Sequence, residues 1–288
     1  MNANDPLYNA IFGNVTQPTN IFRIKNNPLP PILRSILSTR NQGVKLSMGI
    51  PRSISIFRAK DEPDLIRRIS SQVDKILRTK LTISEARVVP YIEDIAHIEE
   101  AKKVKTAVLH IDIRNSSNIV EELSLEIALK IYQIFHSCVT ETVRYKGGSI
   151  RTFAGDRIVA LFKPGNDNIP RTTAVDTALS IDKMLTSVVN VALKQNNIYP
   201  LVYGIGIDYG EMLAGRIGKN GKQNNDIVWA GRAMNYASKL ADYGNGIYLS
   251  QAVYNRITDK LKNDVNNFWL EKKDLALGSF YQVTSIFQ

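Results

Sequence analysis

Residues 150–162 have the sequence IRTFAGDRIVALF, in which apolar residues lie on both sides of the pair Gly155-Asp156. β-branched and aromatic residues on each side favour strands, and Gly-Asp is a frequent turn pair. The stretch therefore predicts a β-hairpin over 150–153 and 157–162, with its turn at Gly155-Asp156. Such a hairpin holds the carboxylate of Asp156 at one end of a sheet.

Further strands and helices are predicted on both sides of this hairpin. Apolar periodicity predicts strands over 106–113, 201–208, 211–217, 226–230, 247–249, 269–272 and 279–284. The same criterion predicts helices over 123–143, 172–194, 231–243 and 250–262. The order of strand, helix, hairpin, helix and strands predicts an α+β fold, in which helices cover an antiparallel sheet.

The N-terminal part of the chain differs in composition from the rest. Residues 1–60 contain eight Lys and Arg but one acid, so we expect a basic extended arm. Such an arm attracts nucleic acid, an acidic partner or polyphosphates, and no zinc-finger or RNA-recognition signature favours nucleic acid. Residues 61–104 are predicted to be a helical segment, with an apolar stripe after residue 63 and a second helical piece over 91–104.

The composition of the chain excludes several classes of protein. Hydrophobic residues make up 44% of the 288 residues, which suits a globular protein with a buried core. No stretch approaches the ~18 consecutive apolar residues of a membrane-spanning helix, and the N-terminus lacks the features of a secretion signal. The single cysteine, Cys138, cannot form an intrachain disulfide. We therefore expect a cytoplasmic protein without a membrane segment.

Two aspartates end predicted strands at the same edge of the sheet. Asp112 lies near the end of the strand 106–113, and Asp156 lies in the hairpin turn. Two rigid carboxylates side by side suit two hard cations ~4 Å apart, and Mg²⁺ or Mn²⁺ prefers such oxygen ligands. The sequence thus predicts a two-metal site. Each aspartate alone also fits a structural role, since aspartates are common in helix caps and turns.

Other polar groups are candidates for contact with a nucleotide. Ser116 and Ser117 begin a predicted helix, where their hydroxyls and the backbone amides from Ile113 onward suit either a phosphate or an N-cap. Asn235 and Lys239 are one turn apart on another predicted helix, so they share a face. An amide and a cation there can orient a ribose and stabilise phosphate charge. An ordinary exposed polar face is the alternative.

Four motifs occur in order along the chain. They are Ile111-Asp112-Ile113, the stretch from Gly147-Gly148 to Phe153-Ala154-Gly155-Asp156, YGIGIDYGEMLAG at 203–215, and GRAMNYASKL at 231–240. Together they resemble the class III nucleotidyl cyclases, the catalytic domains of adenylate and guanylate cyclases. The resemblance spans about residues 104–260. It implies a ferredoxin-like catalytic core, and we assign the catalytic domain to residues 105–288.

The resemblance also implies roles for the site residues. One subunit of a homodimer provides the metal site, in which Asp112, Ile113 and Asp156 bind two Mn²⁺ or Mg²⁺ ions. The other subunit provides Asn235 for the ribose and Lys239 for the transition state, so that each site is built across the interface. The implied reaction is attack of the ribose 3′-hydroxyl on the α-phosphate of a nucleoside triphosphate, with release of pyrophosphate.

Three positions depart from the family. Lys239 replaces the usual arginine, and it keeps the charge without the planar fork. Thr152 occupies the position of the lysine or glutamate that recognises a purine, and Val228 occupies that of the usual Asp, Thr or Cys. A valine side chain cannot hydrogen-bond to a base edge. A shallow pocket with Trp229 beside Val228 favours a pyrimidine, which is smaller and stacks on aromatic rings.

With these departures the chain most resembles the pyrimidine cyclases of the bacterial Pycsar antiphage systems. That resemblance implies UTP as the substrate, with CTP as the alternative, and a cyclic nucleotide product that activates a separate effector. An adenylate cyclase with an unusual pocket, and a catalytically inactive nucleotide-binding or dimerisation module, remain alternatives. Arg157 is a candidate for phosphate contact, and Lys272-Lys273 either reach the triphosphate or form a solvated pair.

Overall fold

The computed structural model describes residues 62–96, 99–165, 168–218 and 225–285. The predicted basic arm over residues 1–60 lies outside the described residues. The chain divides into two units, and the second begins at Ser71. The described residues of the first unit form the beginning of helix α1, Glu62–Arg78. The second unit contains the sheet and all the predicted site residues.

The described part of the second unit alternates strands with helices. Its strands are β1 Thr82–Glu85, β2 Glu100–Ile113, β3 Ser149–Ala154, β4 Arg157–Leu161, β5 Tyr203–Gly218, β6 Asn225–Ala230, β7 Gly246–Ser250, β8 Asn267–Asp274 and β9 Gly278–Ser285. Its further helices are α2 Ser116–Glu122, α3 Leu125–Tyr145, α4 Ile169–Met184, α5 Asn190–Gln195, α6 Arg232–Tyr243, α7 Gln251–Tyr254 and α8 Asp259–Lys262. A π-helical turn, Leu185–Val189, joins α4 to α5. None of the described helices is long and apolar enough to cross a membrane.

The nine strands form one sheet with β2 and β5 at its centre. The order is β3-β4-β2-β5-β7-β9-β8, with β1 paired to β2 and β6 paired to β5. β2 is antiparallel to β4 and β5, whereas the pairs β1–β2 and β5–β7 are parallel. The sheet is therefore mixed, and the prediction of an antiparallel sheet is wrong for these two pairs. Helix α6 supplies part of the crossover that the parallel pair β5–β7 requires.

Helices cover both faces of the sheet, because side chains along each strand point alternately to the two faces. On one face, Leu109 of β2 and Phe135 of α3 belong to one fully buried cluster. On the other face, Val108 of β2 packs in a second cluster with Ala237 of α6. Asp112 lies four residues after Val108 on β2, so its side chain is on the same face, which α6 covers.

Strand β5 is continuous through the pair Tyr209-Gly210, so the prediction of two separate strands over 201–208 and 211–217 is wrong. Both residues of the pair are in register with β2. Gly210 allows close approach rather than a turn, since a Cβ atom there would lie 3.2 Å from the Cβ of Ala233 in α6. The glycine that suggested a break therefore serves the packing of a helix on the strand.

The helix predicted over 91–104 is also wrong. A short 3-10 helix, Ile92–Asp94, lies there, and β2 already begins at Glu100. Val104 is fully buried within β2, so pairing and burial decide the structure of a stretch whose apolar spacing also fits a helix. The predicted boundary between segments 61–104 and 105–288 falls within β2, and the division into domains stays a prediction.

Most of the other predicted elements are confirmed. The predicted hairpin consists of β3 and β4, and its turn places Gly155 in the left-handed region at φ 62°. The helix predicted over 172–194 is continuous from α4 through the π-helical turn to α5. The helix predicted over 250–262 is instead a pair of short helices, α7 and α8.

Candidate active site

The two predicted metal aspartates lie beside each other at one end of the sheet. Asp112 is next to the last residue of β2, and its cross-strand partner in β4 is Arg157. Asp156 directly precedes Arg157 in the hairpin turn. The central strand holds Asp112 rigidly, since it is 9% exposed and its neighbours Ile111 and Ile113 are buried. Pairing of β2 with β4 therefore brings the backbone positions of Asp112 and Asp156 close together, although they are far apart in the sequence.

The guanidinium of Arg157 connects three elements at this end of the sheet. Its Nη2 donates to Oδ2 of Asp112 at 3.0 Å and to Oδ1 of Asp242 in α6, also at 3.0 Å. Its Nη1 donates to Oγ of Ser238 in α6 at 3.4 Å. The hydrogen bond to Asp112 is the largest cause that raises the pKa of Arg157 above its ordinary value. Arg157, a candidate for phosphate contact, is thus paired with a predicted metal ligand.

The other oxygen of Asp112 has no hydrogen-bond partner among the described residues. Oδ1 is buried without a hydrogen bond, while Oδ2 accepts the one from Arg157. A buried carboxylate oxygen without a partner is costly, and a cation would satisfy it. Among the described residues, no group of three or more His, Cys, Asp and Glu side chains suits a metal ion. One or two carboxylates are enough where substrate phosphates complete the coordination, as is usual for Mg²⁺.

The chain leaves the sheet after Ile113, one residue beyond Asp112. Ile113 is 3% exposed and its side chain belongs to the core. Its contact with a ligand would therefore have to be made by its backbone. Asn115 precedes α2 in the left-handed conformation at φ 52°, and its side chain makes no capping hydrogen bond. Ser116 and Ser117 are the first residues of α2, so the N-cap role considered for them is wrong. Their contact with phosphate stays a prediction.

Helix α6 carries the predicted ribose and transition-state residues. Asn235 and Lys239 are exposed, whereas the opposite side of the helix is buried on the sheet. Nη2 of Arg114 donates to the carbonyl oxygens of Ala241 and Gly244, at the C-terminal end of the helix. A cation is favourable at this end, and the contact ties α6 to the end of β2. The roles of Asn235 and Lys239 in a partner's site stay predictions.

The predicted base-reading residues differ in their burial. Trp229 is 8% exposed and packs in the core cluster that α6 covers. Its ring contributes to the core, so a stacking role for it stays a prediction that this burial does not favour. Val228 alternates with Trp229 along β6 and is 45% exposed. Thr152 is half-buried on β3, opposite Val159 of β4.

Arg151 takes a position that sequence reasoning did not anticipate. A β-bulge shifts the register between Ile150 and Thr152, so simple alternation no longer determines which face Arg151 takes. Its Nη2 donates to the carbonyl oxygen of Val89 at 2.8 Å, and its guanidinium lies 3.8 Å from the ring centroid of Tyr91. Its Nε is buried without a partner. No glycine or proline at this position marks the bulge in the sequence.

His110 is a buried histidine on the same strand face as Asp112. Burial, followed by the charge of Arg157, lowers the pKa of His110 from 6.5 to about 4. Its Nε2 lies 3.1 Å from Sδ of Met234 in α6, and its Nδ1 is buried without a partner. The imidazole is therefore neutral at pH 7. The sequence signal was its spacing from Asp112, which is one period of a strand.

Known proteins are similar in sequence to this chain. No family model matches the chain. Over 188 residues the chain is 34% identical to the uridylate cyclase of Burkholderia cepacia, a match that covers 64% of this chain and 80% of that protein. The chain belongs to the uridylate cyclase family. Another uridylate cyclase, from Xanthomonas perforans, is 29% identical over 169 residues, with 57% of this chain and 71% of that protein covered.

Solved structures of nucleotide cyclases share the fold of this uridylate cyclase family member. The adenylyl cyclase CyaB from P. aeruginosa has a TM-score of 0.57 at 23% identity, with 66% of this chain and 98% of that chain covered. The guanylate cyclase domain of RhGC from Catenaria anguillulae, solved in complex with GTP, has a TM-score of 0.52 at 20% identity, with 64% and 98% covered. The predicted cyclase core is thus confirmed, and family membership confirms the predicted enzyme class, a nucleotide cyclase of the pyrimidine group.

Proposed function

We propose that this chain converts UTP to 3′,5′-cyclic UMP and pyrophosphate. The observation that carries the proposal is its 34% identity to a protein named uridylate cyclase, along 80% of that protein. The site supports it, because Asp112 offers a buried oxygen without a partner beside Asp156. CTP, which would give cyclic CMP, is the alternative pyrimidine substrate.

The metal site of this proposal consists of Asp112, Asp156 and the backbone of Ile113, with two Mn²⁺ or Mg²⁺ ions. Such ions, when bound, lower the pKa of the attacking hydroxyl and neutralise charge on the phosphates. The buried strand keeps the carboxylate of Asp112 in one place, and the turn at Gly155 holds Asp156 at the end of the hairpin. Rigid ligands of this kind are what closely spaced cations require.

The triphosphate and the base are assigned to residues around these aspartates. Ser116 and Ser117 in the first turn of α2 offer hydroxyls and backbone amides to the phosphates. Thr152 and Val228 are assigned to the base. Thr152 replaces the Lys or Glu, and Val228 replaces the Asp, Thr or Cys, that contact the base in purine cyclases. Trp229 is a weaker candidate than its sequence position suggests, because its ring packs in the core.

The active form in this proposal is a homodimer with two equivalent sites. Asn235 and Lys239 are exposed on α6, so they are free to complete a site of a second copy. There Asn235 orients the ribose, and the charge of Lys239 stabilises the phosphates in the transition state. Neither side chain is needed for the fold of its own subunit, since both lie on the exposed side of the helix.

The biological role in this proposal follows from the resemblance to Pycsar enzymes. The product is a second messenger in defence against phages, formed in the cytoplasm and detected by a separate effector protein. Cells that express the chain are expected to accumulate cyclic UMP after phage infection, whereas cells that express Asp112→Asn are not. Equal amounts of cyclic UMP in both would contradict this role.

Identification of the product tests the proposed reaction. The purified chain is incubated with Mn²⁺ and separately with ATP, GTP, CTP or UTP, and each product is identified by mass. Cyclic UMP from UTP is expected, and Asp112→Asn, which keeps the shape of the side chain without its charge, is the inactive control. Cyclic CMP alone would change the base assignment, and cyclic AMP would contradict the roles of Thr152 and Val228. No product from a folded chain would favour an inactive nucleotide-binding module.

A further inference from the structure

We propose that Arg157 is a built-in counter-cation of the metal site, which a divalent cation must displace from Asp112. The proposal rests on the proposed function for one point, that Asp112 is a metal ligand. It concerns a step before catalysis, the binding of metal ions by the protein without nucleotide. It predicts that this arginine weakens metal binding until its side chain moves.

The contacts of Arg157 put a full positive charge where the metal ions are expected. Its Nη2 lies 3.0 Å from Oδ2 of Asp112, on a side chain that is only 13% exposed. The same nitrogen lies 3.0 Å from Oδ1 of Asp242 in α6. The guanidinium therefore neutralises Asp112 when no metal ion is bound, and the other carboxylate oxygen, Oδ1, is buried without a partner among the residues that the structure describes.

A divalent cation and this guanidinium cannot both lie against Asp112 without cost. Like charges at such distances repel, and partial burial strengthens the repulsion because fewer water molecules screen it. Arginine stays charged at every pH at which proteins fold, so the loss of a proton cannot relieve the repulsion. Either the side chain moves or the metal ion binds weakly.

Asp242 remains a partner for the side chain of Arg157 after its displacement from Asp112. Asp242 is 49% exposed and Arg157 is 35% exposed, so the guanidinium has solvent on one side. Asp242 belongs to α6 rather than to the strands that carry the metal aspartates. A guanidinium released from Asp112 therefore keeps a carboxylate partner, which makes its displacement less costly than that of an arginine with a single partner.

Metal binding without nucleotide tests the proposal. The full chain is titrated with MnCl₂, and free Mn²⁺ is measured by electron paramagnetic resonance. Arg157→Gln is expected to bind Mn²⁺ about ten-fold more tightly than the natural chain, because one repelling charge is removed. Arg157→Lys keeps the charge and is expected to stay within about three-fold of the natural chain.

Arg232→Gln is the matched control for the loss of one positive charge. Arg232 is exposed at the start of α6, about 15 Å of helix away from Asp242. Salt screens charges over about 10 Å, so this variant is expected to change the Mn²⁺ affinity less than two-fold. An equal gain of affinity in both variants would mean that net charge, rather than the contact with Asp112, controls binding, and would overturn the proposal.

Thermal unfolding separates competition from a purely structural role. In EDTA, Arg157→Gln is expected to melt below the natural chain, because Asp112 loses its counter-charge. Saturating Mn²⁺ is expected to raise its melting temperature by more than that of the natural chain, since tighter binding stabilises more. A variant that melts lower and gains no more from Mn²⁺ than the natural chain would show that Arg157 only supports the fold.

Asp112→Asn distinguishes failure of this proposal from failure of the proposed function. If Asp112→Asn loses Mn²⁺ binding but Arg157→Gln binds no more tightly than the natural chain, Asp112 is a metal ligand and the counter-cation role is wrong. If Asp112→Asn binds Mn²⁺ as the natural chain does, the metal assignment itself is wrong. If neither the natural chain nor Arg157→Gln binds Mn²⁺, competition at Asp112 is excluded.

Discussion

Two buried polar atoms on one face of β2, Nδ1 of His110 and Oδ1 of Asp112, have no hydrogen-bond partner in the part of the chain that the structure describes. Buried polar groups in folded proteins are nearly always paired, so such atoms mark places where an ion, water or ligand completes the structure. The residues that precede them on this face, Val104, Thr106 and Val108, are fully buried, and the one polar side chain among these three, Thr106, donates its hydroxyl to the carbonyl oxygen of Phe162. The two unpaired atoms therefore lie at the end of β2 where the proposed site is, after residues whose side chains are apolar or hydrogen-bonded.

The buried histidine predicts a pH dependence of stability. Its pKa is about 4 in the folded chain and near 6.5 when unfolded, so the unfolded chain binds the proton first as the pH falls. The stabilisation by neutral His110 is thus present above pH 6.5 and is lost toward pH 4. Between pH 7.5 and pH 5 the free energy of unfolding is expected to fall by about 2 kcal/mol from this group.

Urea unfolding at pH 7.5 and pH 5 measures this loss. Carboxylates elsewhere also titrate in this range, so the natural chain is compared with His110→Asn at both values. The variant is expected to lack about 2 kcal/mol of the pH-dependent loss, since asparagine does not titrate. The same pH dependence in both proteins would mean that folding does not lower the pKa of His110.

The exposed lysine of α6 predicts a separation of kcat from KM. Lys239→Ala is expected to lower kcat for cyclic UMP formation by about 10² while KM changes little, because the charge acts on the transition state. Lys239→Arg is expected to keep most of the activity, since it restores the charge. Lys194→Ala, at an exposed position of α5, is the control. A rise in KM with unchanged kcat would assign Lys239 to substrate binding instead.

At the scale of elements, the position of α6 depends on glycines in β5. A Cβ atom at Gly206 would overlap the backbone of Ala237 and Ala241, so the helix lies directly on the strand. α6 carries Asn235 and Asp242, the partner of Arg157. The position of α6 on the strand therefore determines where these two side chains lie. A helix that approaches a strand this closely leaves no room for a side chain.

Replacement of this glycine is expected to destabilise the chain. Gly206→Ala must push α6 away from β5, and such overpacking typically costs about 1–3 kcal/mol. Gly215→Ala is the matched control, because its Cβ would meet only Cγ1 of Val228, at 3.9 Å. Urea unfolding measures both. An equal effect of the two substitutions would mean that loss of chain entropy, rather than contact with α6, governs the result.

At the scale of the whole molecule, the proposed homodimer predicts complementation between two inactive variants. Asp156→Ala removes the metal half of a site, and Asn235→Ala removes the ribose half. A mixed dimer has one intact site, so an equal mixture after subunit exchange is expected to recover about a quarter of the natural activity. Cyclic UMP formation measures the recovery.

The control for this experiment mixes two variants from the same half-site. Asp112→Ala and Asp156→Ala both damage the metal half, so every mixed dimer still lacks an intact site. No recovery is expected from this pair. Recovery there, or none from the first pair despite proven subunit exchange, would contradict a site shared between subunits.

The sequence by itself determined the local parts of this protein. Gly155-Asp156 marks the hairpin turn because only a few residue types suit its backbone. The period of the apolar residues predicted α6 with Asn235 and Lys239 on one face, and the structure shows that this face is exposed. Motif order identified the family, which the uridylate cyclases confirm. Each of these signals lies within a short stretch of chain.

The tertiary structure alone decided the contacts around those parts. Arg157 pairs with Asp112 and Asp242, β5 runs straight through Tyr209-Gly210, and a bulge redirects Arg151. Each of these outcomes depends on strand register or on a helix packed from elsewhere in the chain. Local propensity does not determine register, because the energies that select it come from burial and pairing between residues far apart in the sequence.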